Sequence, residues 1–137
     1  MSEDAVRAAP QDSQNRRYIA YSLENIGEIL AHMGNRAAGV DSLRRALQIR
    51  EEYAKASPSD LEGMEDVAVA ARKAAAVEAQ LSHFHEAHTL YRRAQDVAEQ
   101  IHRANPAFRG IPEGIGDPGA LAQEIAAADA AIARLAR

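Results

Sequence analysis

Residues 22–51 read SLENIGEILAHMGNRAAGVDSLRRALQIRE. Counting from Ile19, large apolar side chains recur at Leu23, Ile26, Leu30 and Met33, in alternating steps of four and three. That spacing lays one stripe along a helix. Gly34-Asn35 then interrupts the pattern as a stop-and-turn signal. A second stripe follows with Val40, Leu43, Leu47 and Tyr53. Ser57-Pro58 closes it, because the residue before a proline avoids the helical region. Two helices joined by so short a turn fold back on each other, so the stretch reads as an antiparallel hairpin. Asp12 or Ser13 is placed to cap its first helix.

The hairpin has a copy. Pro10, Pro58 and Pro106 lie 48 residues apart, and the same offset pairs Leu43-Arg44-Arg45-Ala46 with Tyr91-Arg92-Arg93-Ala94. It also pairs Ile29 with Val77, Ile49 with Val97, Glu51 with Glu99, and Ser57-Pro58 with Asn105-Pro106. In the second copy, Met64, Val67, Ala71, Ala74, Val77 and Leu81 form the first stripe, opened by Ser59-Asp60-Leu61-Glu62 as a capping box with Ser59 at its head. Ser82-His83 replaces Gly34-Asn35. Phe84, Ala87, Tyr91, Ala94, Ala98 and Ile101 form the second stripe. Five main helices are therefore expected. Residues 1–12 read as a flexible N-terminus, 13–57 and 58–105 as the two hairpins, and 106–117 as a Gly/Pro-rich loop. Residues 118–137 read as a last helix, begun by Asp117-Pro118 and carrying Leu121, Ile125, Ala128, Ile132 and Leu135 on one face. It is out of phase with the repeat and is expected to cap the apolar end of the stack, as terminal units of such arrays do.

Composition agrees with helix on helix. The chain has 137 residues, 47% of them apolar but only 4% aromatic, and much of the apolar share is alanine. Alanine has the highest helix propensity and lets backbones approach, while the residues that strands favour are scarce. The formal net charge of −4 argues against nucleic acid as a partner. The absence of cysteine removes disulfides and thiolate metal sites. No secretory leader or membrane span is legible, so a cytoplasmic location without membrane association is expected.

Leu23-x2-Ile26-Gly27-x2-Leu30, followed by Gly39-x3-Leu43 and Ala46, resembles the tetratricopeptide repeat signature, with Gly34 at the family's turn. In the second copy Ala87-x3-Tyr91, Ala94 and Phe84 match the second helix. The first helix offers Ala71, Ala74 and Ala75, with Glu78 where a large apolar residue is usual. The resemblance covers residues 15–105, and the period of 48 against the usual ~34 points to the long-helix bacterial variety, which recurs in larger proteins including ones with a kinase domain. It implies an all-α fold in which antiparallel hairpins stack as a short right-handed solenoid with a C-terminal capping helix. It also implies a binding module for a peptide or protein segment, not an enzyme, with no cofactor. The concave face so implied would carry Tyr21, Glu24, Asn25, Glu28 and His32 from the first unit. The second unit would add Val69, Arg72, Lys73, Ala76 and Gln80. Glu24 and Glu28 stand where a carboxylate clamp would need donors, which argues against that particular ligand. Two repeats are fewer than such stacks usually need, so pairing of an open apolar end with another copy is the alternative function.

Other chemistry is sparse. His83, His85 and His88 concentrate three imidazoles in six residues and form the one candidate metal site, though solvated side chains at a turn explain them as well. Arg44-Arg45 and Arg92-Arg93 could read phosphate, but Glu51, Glu52, Asp96 and Glu99 beside them favour solvated second-helix faces. Gly110, Gly114, Gly116 and Gly119 lack the spacing of a dinucleotide site.

Overall fold

The computed structural model describes residues 10–108, 126–127 and 129–134. Four long helices follow in order: α1 (Pro10–His32), α2 (Arg36–Ala56), α3 (Leu61–Gln80) and α4 (Phe84–Ala104). Among the described residues there is no strand. Each helix packs chiefly on its neighbours in sequence, α1 on α2, α2 on α3 and α3 on α4. The segment 1–9, most of the expected loop 106–117 and the Asp117-Pro118 helix start lie outside the described residues. Within the expected capping helix, 126–127 and 129–134 are helical, Ala131 is buried, and Asp129 lies 2.8 Å from His88 Nε2 on α4.

The 48-residue repeat of the sequence is also a repeat of backbone hydrogen bonds. At the first turn the Asn35 N–H donates to Leu30 O and Gly34 N–H to Ala31 O; at the second, His83 N–H donates to Glu78 O and Ser82 N–H to Ala79 O. Gly34 and Ser82, 48 apart, are both left-handed, with φ of +94° and +62°. The proline turns correspond as well: Ser57 N–H donates to Tyr53 O and Asn105 N–H to Ile101 O, then Asp60 N–H to Ser57 O and Phe108 N–H to Asn105 O.

Small residues let each hairpin close. A Cβ on Gly27 would lie 2.7 Å from Leu43 Cγ and 2.8 Å from Gly39 O, and a Cβ on Gly39 would lie 2.7 Å from Gly27 O. At the equivalent places in the second hairpin stand Ala75 and Ala87, both fully buried. The core has two parts: Val40 and Leu43 of the first hairpin pack with Ala74, Ala75, Val77, Ala87, Leu90 and Tyr91 of the second, and within the second hairpin Val67, Ala68 and Ala71 pack with Ala94, Val97 and Ile101.

Three local expectations are corrected. The N-cap of α3 is Asp60, not Ser59; its carboxylate accepts from Gly63 N–H at 3.1 Å. Asp60 wins because the Tyr53 hydroxyl also donates to it, at 2.8 Å, which anchors the cap to the end of α2. Asp12 and Ser13 do not cap α1, since the helix already includes Pro10. The stripe Ile19, Leu23, Ile26, Leu30, Met33 is not the buried face of α1: Ile19, Ile26 and Met33 are exposed, and the buried residues are Ala20, Glu24 and Gly27. Close approach to α2 requires small residues, so the helix turns Ala20 and Gly27 inward and its larger side chains out.

Candidate functional site

Cross-helix contacts fix how the four helices are ranked. Arg17 reaches Asp66 at 3.3 Å and Lys73 reaches Glu28 at 3.0 Å, so early residues of α1 meet early residues of α3 and late meet late. The first helices of the two units thus lie side by side in the same direction. On the second helices Arg93 binds Glu51 through two bonds of 2.8 Å. That fork raises the Arg93 pKa above its ordinary value.

Toward their C-terminal ends α1 and α3 enclose, with the start of α2, a cleft of about 350 Å³. Ala31, Leu43, Ala76 and Val77 supply its apolar wall; Glu28, His32, Arg36, Lys73 and Gln80 supply the polar one. The polar groups come as acid–base and amide–guanidinium pairs, Lys73 with Glu28 and Arg36 Nε donating to Gln80 Oε1 at 3.2 Å. Glu28 and Lys73 keep side-chain exposures of 47% and 33%, so water or a ligand can exchange into that bridge. Five of the ten residues placed on the implied concave face therefore meet in one cleft: Glu28, His32, Lys73, Ala76 and Gln80.

The other five separate. Tyr21 is exposed and Asn25, Val69 and Arg72 are half-buried, and none of these four lines the cleft. Glu24 is a correction. It is buried, and its Oε2 accepts from Arg50 Nη2 at 3.1 Å. Arg50, itself buried, also reaches Asp66 at 3.5 Å, joining α1, α2 and α3. Arg17 shares Asp66 and stands 5.1 Å over the Tyr53 ring. Glu24 thus faces the helix interface because Arg50, one partner long enough to reach it, projects there from α2.

This polar seam continues to Asp60. Burial pushes the Asp60 carboxyl up, but the Gly63 N–H, the Tyr53 hydroxyl and the charge of Arg17 outweigh it and hold its pKa below the ordinary value. Tyr53 is pushed up by its hydrogen bond to Asp60 and by burial. Burial lowers Arg17, but Tyr53, Asp66 and Asp60 outweigh it and leave its pKa raised.

A second cleft of about 470 Å³ opens on the α2–α4 side, with Ala54, Met64, Val67 and Val97 inside and Glu51, Glu52, Lys55, Arg93 and Gln100 at the rim. It was not legible in the sequence, since Met64 and Val67 are stripe residues that read as core and Ala54 and Val97 come to them from two other helices. One arginine of each expected solvated pair makes a cross-helix bridge: Arg44 binds the buried Glu78 at 3.1 Å, and Arg93, at this cleft, binds Glu51, while Arg45 and Arg92 are exposed. Glu78 is a carboxylate buried on α3, and the Arg44 guanidinium from α2 offsets the cost of burying its charge.

The histidines diverge. His83 Nδ1 lies 3.6 Å from Glu78, His88 Nε2 lies 2.8 Å from Asp129, and His85 is exposed. Among the described residues no group of three or more His, Cys, Asp or Glu side chains is arranged to hold a metal ion. Among them, too, no helix is long and apolar enough to cross a membrane. In comparisons with known proteins, no family model, no curated protein and no solved structure matches this chain.

Proposed function

We propose that this chain is a protein-interaction module of the tetratricopeptide kind, a right-handed stack of two long hairpins that holds a peptide segment between its first helices. The observation that carries the reading is the α1–α3 cleft. Its half-buried Ala31 and Ala76, backed by the buried Leu43 and Val77, lie beside side chains of both charges, Glu28, Lys73 and Arg36. Such a surface suits a segment of mixed charge with one apolar anchor: the wall takes the anchor, and the exposed bridge re-pairs with ligand charges. Complementary charge sets orientation and encounter rate more than affinity. Binding, not catalysis, is the role proposed, because four of the five polar groups of the cleft pair with one another, Glu28 with Lys73 and Arg36 with Gln80, and none is set up as a nucleophile with its base.

A displayed library of random peptides, selected against the full chain, tests this. Selected peptides are expected to carry both charges around an apolar residue and to shift the backbone amide resonances of His32, Lys73 and Gln80. Lys73→Glu with Arg36→Glu is expected to abolish that binding, and Arg93→Glu to leave it intact. Peptides that instead shift Met64, Val67 and Val97, and lose binding with Arg93→Glu, would transfer the function to the α2–α4 cleft.

A further inference from the structure

Every large apolar side chain that is well exposed among the described residues belongs to α1 or to the residue just after it. Five of them, Tyr18, Ile19, Ile26, Ile29 and Met33, share one side of the helix: at ~100° per residue they fall within an arc of about 100°. Their exposures are 62%, 51%, 50%, 59% and 76%. The opposite end of the stack has company, since Asp129 reaches α4 and Ala131 is buried. The strip on α1 contains no charged residue from Tyr18 to Met33. The acids of that part of the helix are turned elsewhere, Glu24 to Arg50 and Glu28 to Lys73.

We propose that this strip is a homodimer interface, in which α1 packs antiparallel on α1 of a second copy about a two-fold axis near Ile26. A two-fold interface must be complementary to itself, and this strip is so when reversed. Setting Tyr18 against the partner's Met33 also sets Ser22, the one small residue in the arc, against the partner's Ile29. The small side chain leaves the hole that the large one fills, and sulfur meets a ring at each end. No charge is desolvated when the two strips meet, so the penalty that opposes buried ions is absent. The five side chains expose on the order of 500 Å² per copy, against ~800 Å² per partner in an interface of standard size. The dimer is therefore reversible, and it leaves the α1–α3 cleft free, because that cleft lies on another side of α1.

Sedimentation of the full chain from about 1 µM to about 1 mM tests the proposal. The expected result is a concentration-dependent shift from monomer to dimer, with the dissociation constant raised about 100-fold or more by Ile26→Lys with Ile29→Lys. Both residues are exposed, so the helical dichroism of this variant should match the parent. Because the chain lacks cysteine, Tyr18→Cys and Met33→Cys proteins can be mixed and oxidised: the antiparallel pairing gives the mixed disulfide in preference to either symmetric one. A chain that stays monomeric throughout, whatever else covers the strip, overturns the proposal. So does a dimer indifferent to the two lysines, or one in which the symmetric disulfides predominate.

Discussion

Gly27 and Gly39 are in reciprocal backbone contact: a Cβ on either would lie within 2.8 Å of the other's carbonyl oxygen. Neither position can give way by moving a side chain, because the obstacle is main chain on both sides. Gly27→Leu would also meet Leu43 Cγ. This substitution is expected to cost at least about 1–3 kcal/mol by overpacking, read as a lowered urea midpoint. An unchanged midpoint would mean that the α1–α2 crossing is looser than described.

Ser82 holds a left-handed φ of +62° at the place where the first hairpin has Gly34. A side chain in that conformation costs roughly 1 kcal/mol, so Ser82→Gly is expected to stabilise by about 0.5–1 kcal/mol after the added freedom of the unfolded chain is counted. The reverse change, Gly34→Ser, should destabilise by a similar amount. Thermal melts of both variants check the pair.

The buried Arg50–Glu24 bridge predicts unequal fates for two glutamates one turn apart. Glu24→Ala leaves the buried Arg50 guanidinium with the longer 3.5 Å contact to Asp66, which Arg17 shares, and is expected to cost about 3 kcal/mol or more. Glu28→Ala removes a half-exposed partner of Lys73 and should cost no more than ~1 kcal/mol. Equal losses in denaturant titrations would place Glu24 outside the core.

Asp60 titrates below its ordinary value in the folded chain. Its contribution is therefore complete above about pH 4 and is lost as pH falls through the folded value. Tyr53 titrates above its ordinary value, so its contribution is complete below about pH 10 and is lost as pH rises through the folded value. Asp60→Ala removes the α3 cap and the Tyr53 acceptor and is expected to cost about 1–2 kcal/mol at neutral pH. The gap from the parent should narrow as pH falls through the folded value, below which the carboxyl is protonated in both states. A gap that stays constant across that range would assign the loss to the cap's shape and not to its charge.

Helices, turns and the repeat were legible in the sequence because proline, glycine and apolar spacing act locally. Gly34-Asn35 and Ser57-Pro58 stop helices for reasons contained in a few residues. The face that each helix buries was legible only where bulk and small size gave the same answer. On α3 the stripe Val67, Ala71, Ala74, Val77 is buried as its spacing implies. On α1 the large residues made the clearer stripe, yet the demand for close approach at Gly27 turned the helix the other way. Glu24 was misplaced for the same reason: its partner Arg50 lies 26 residues on, beyond what local spacing can pair. The α1–α3 cleft was half legible, since a fixed repeat offset brings Glu28, Lys73, His32 and Gln80 to neighbouring positions, but Arg36 enters it from another helix.

The alanines of α3 have a consequence for how the molecule comes apart. Ala68, Ala70, Ala71, Ala74 and Ala75 are fully buried, and α3 touches both α2 and α4. Methyl groups bury little area each, so α3 gains its stability from having neighbours on both sides, not from the bulk of its own side chains. A fragment ending near residue 57 would leave the α3-facing side of α2 uncovered, and a fragment beginning there would leave the alanines of α3 without α2. The two hairpins can be counted separately along the chain, but they should melt together, and the amide hydrogens of α3 should be the last to exchange with solvent while those of outer α1 go first.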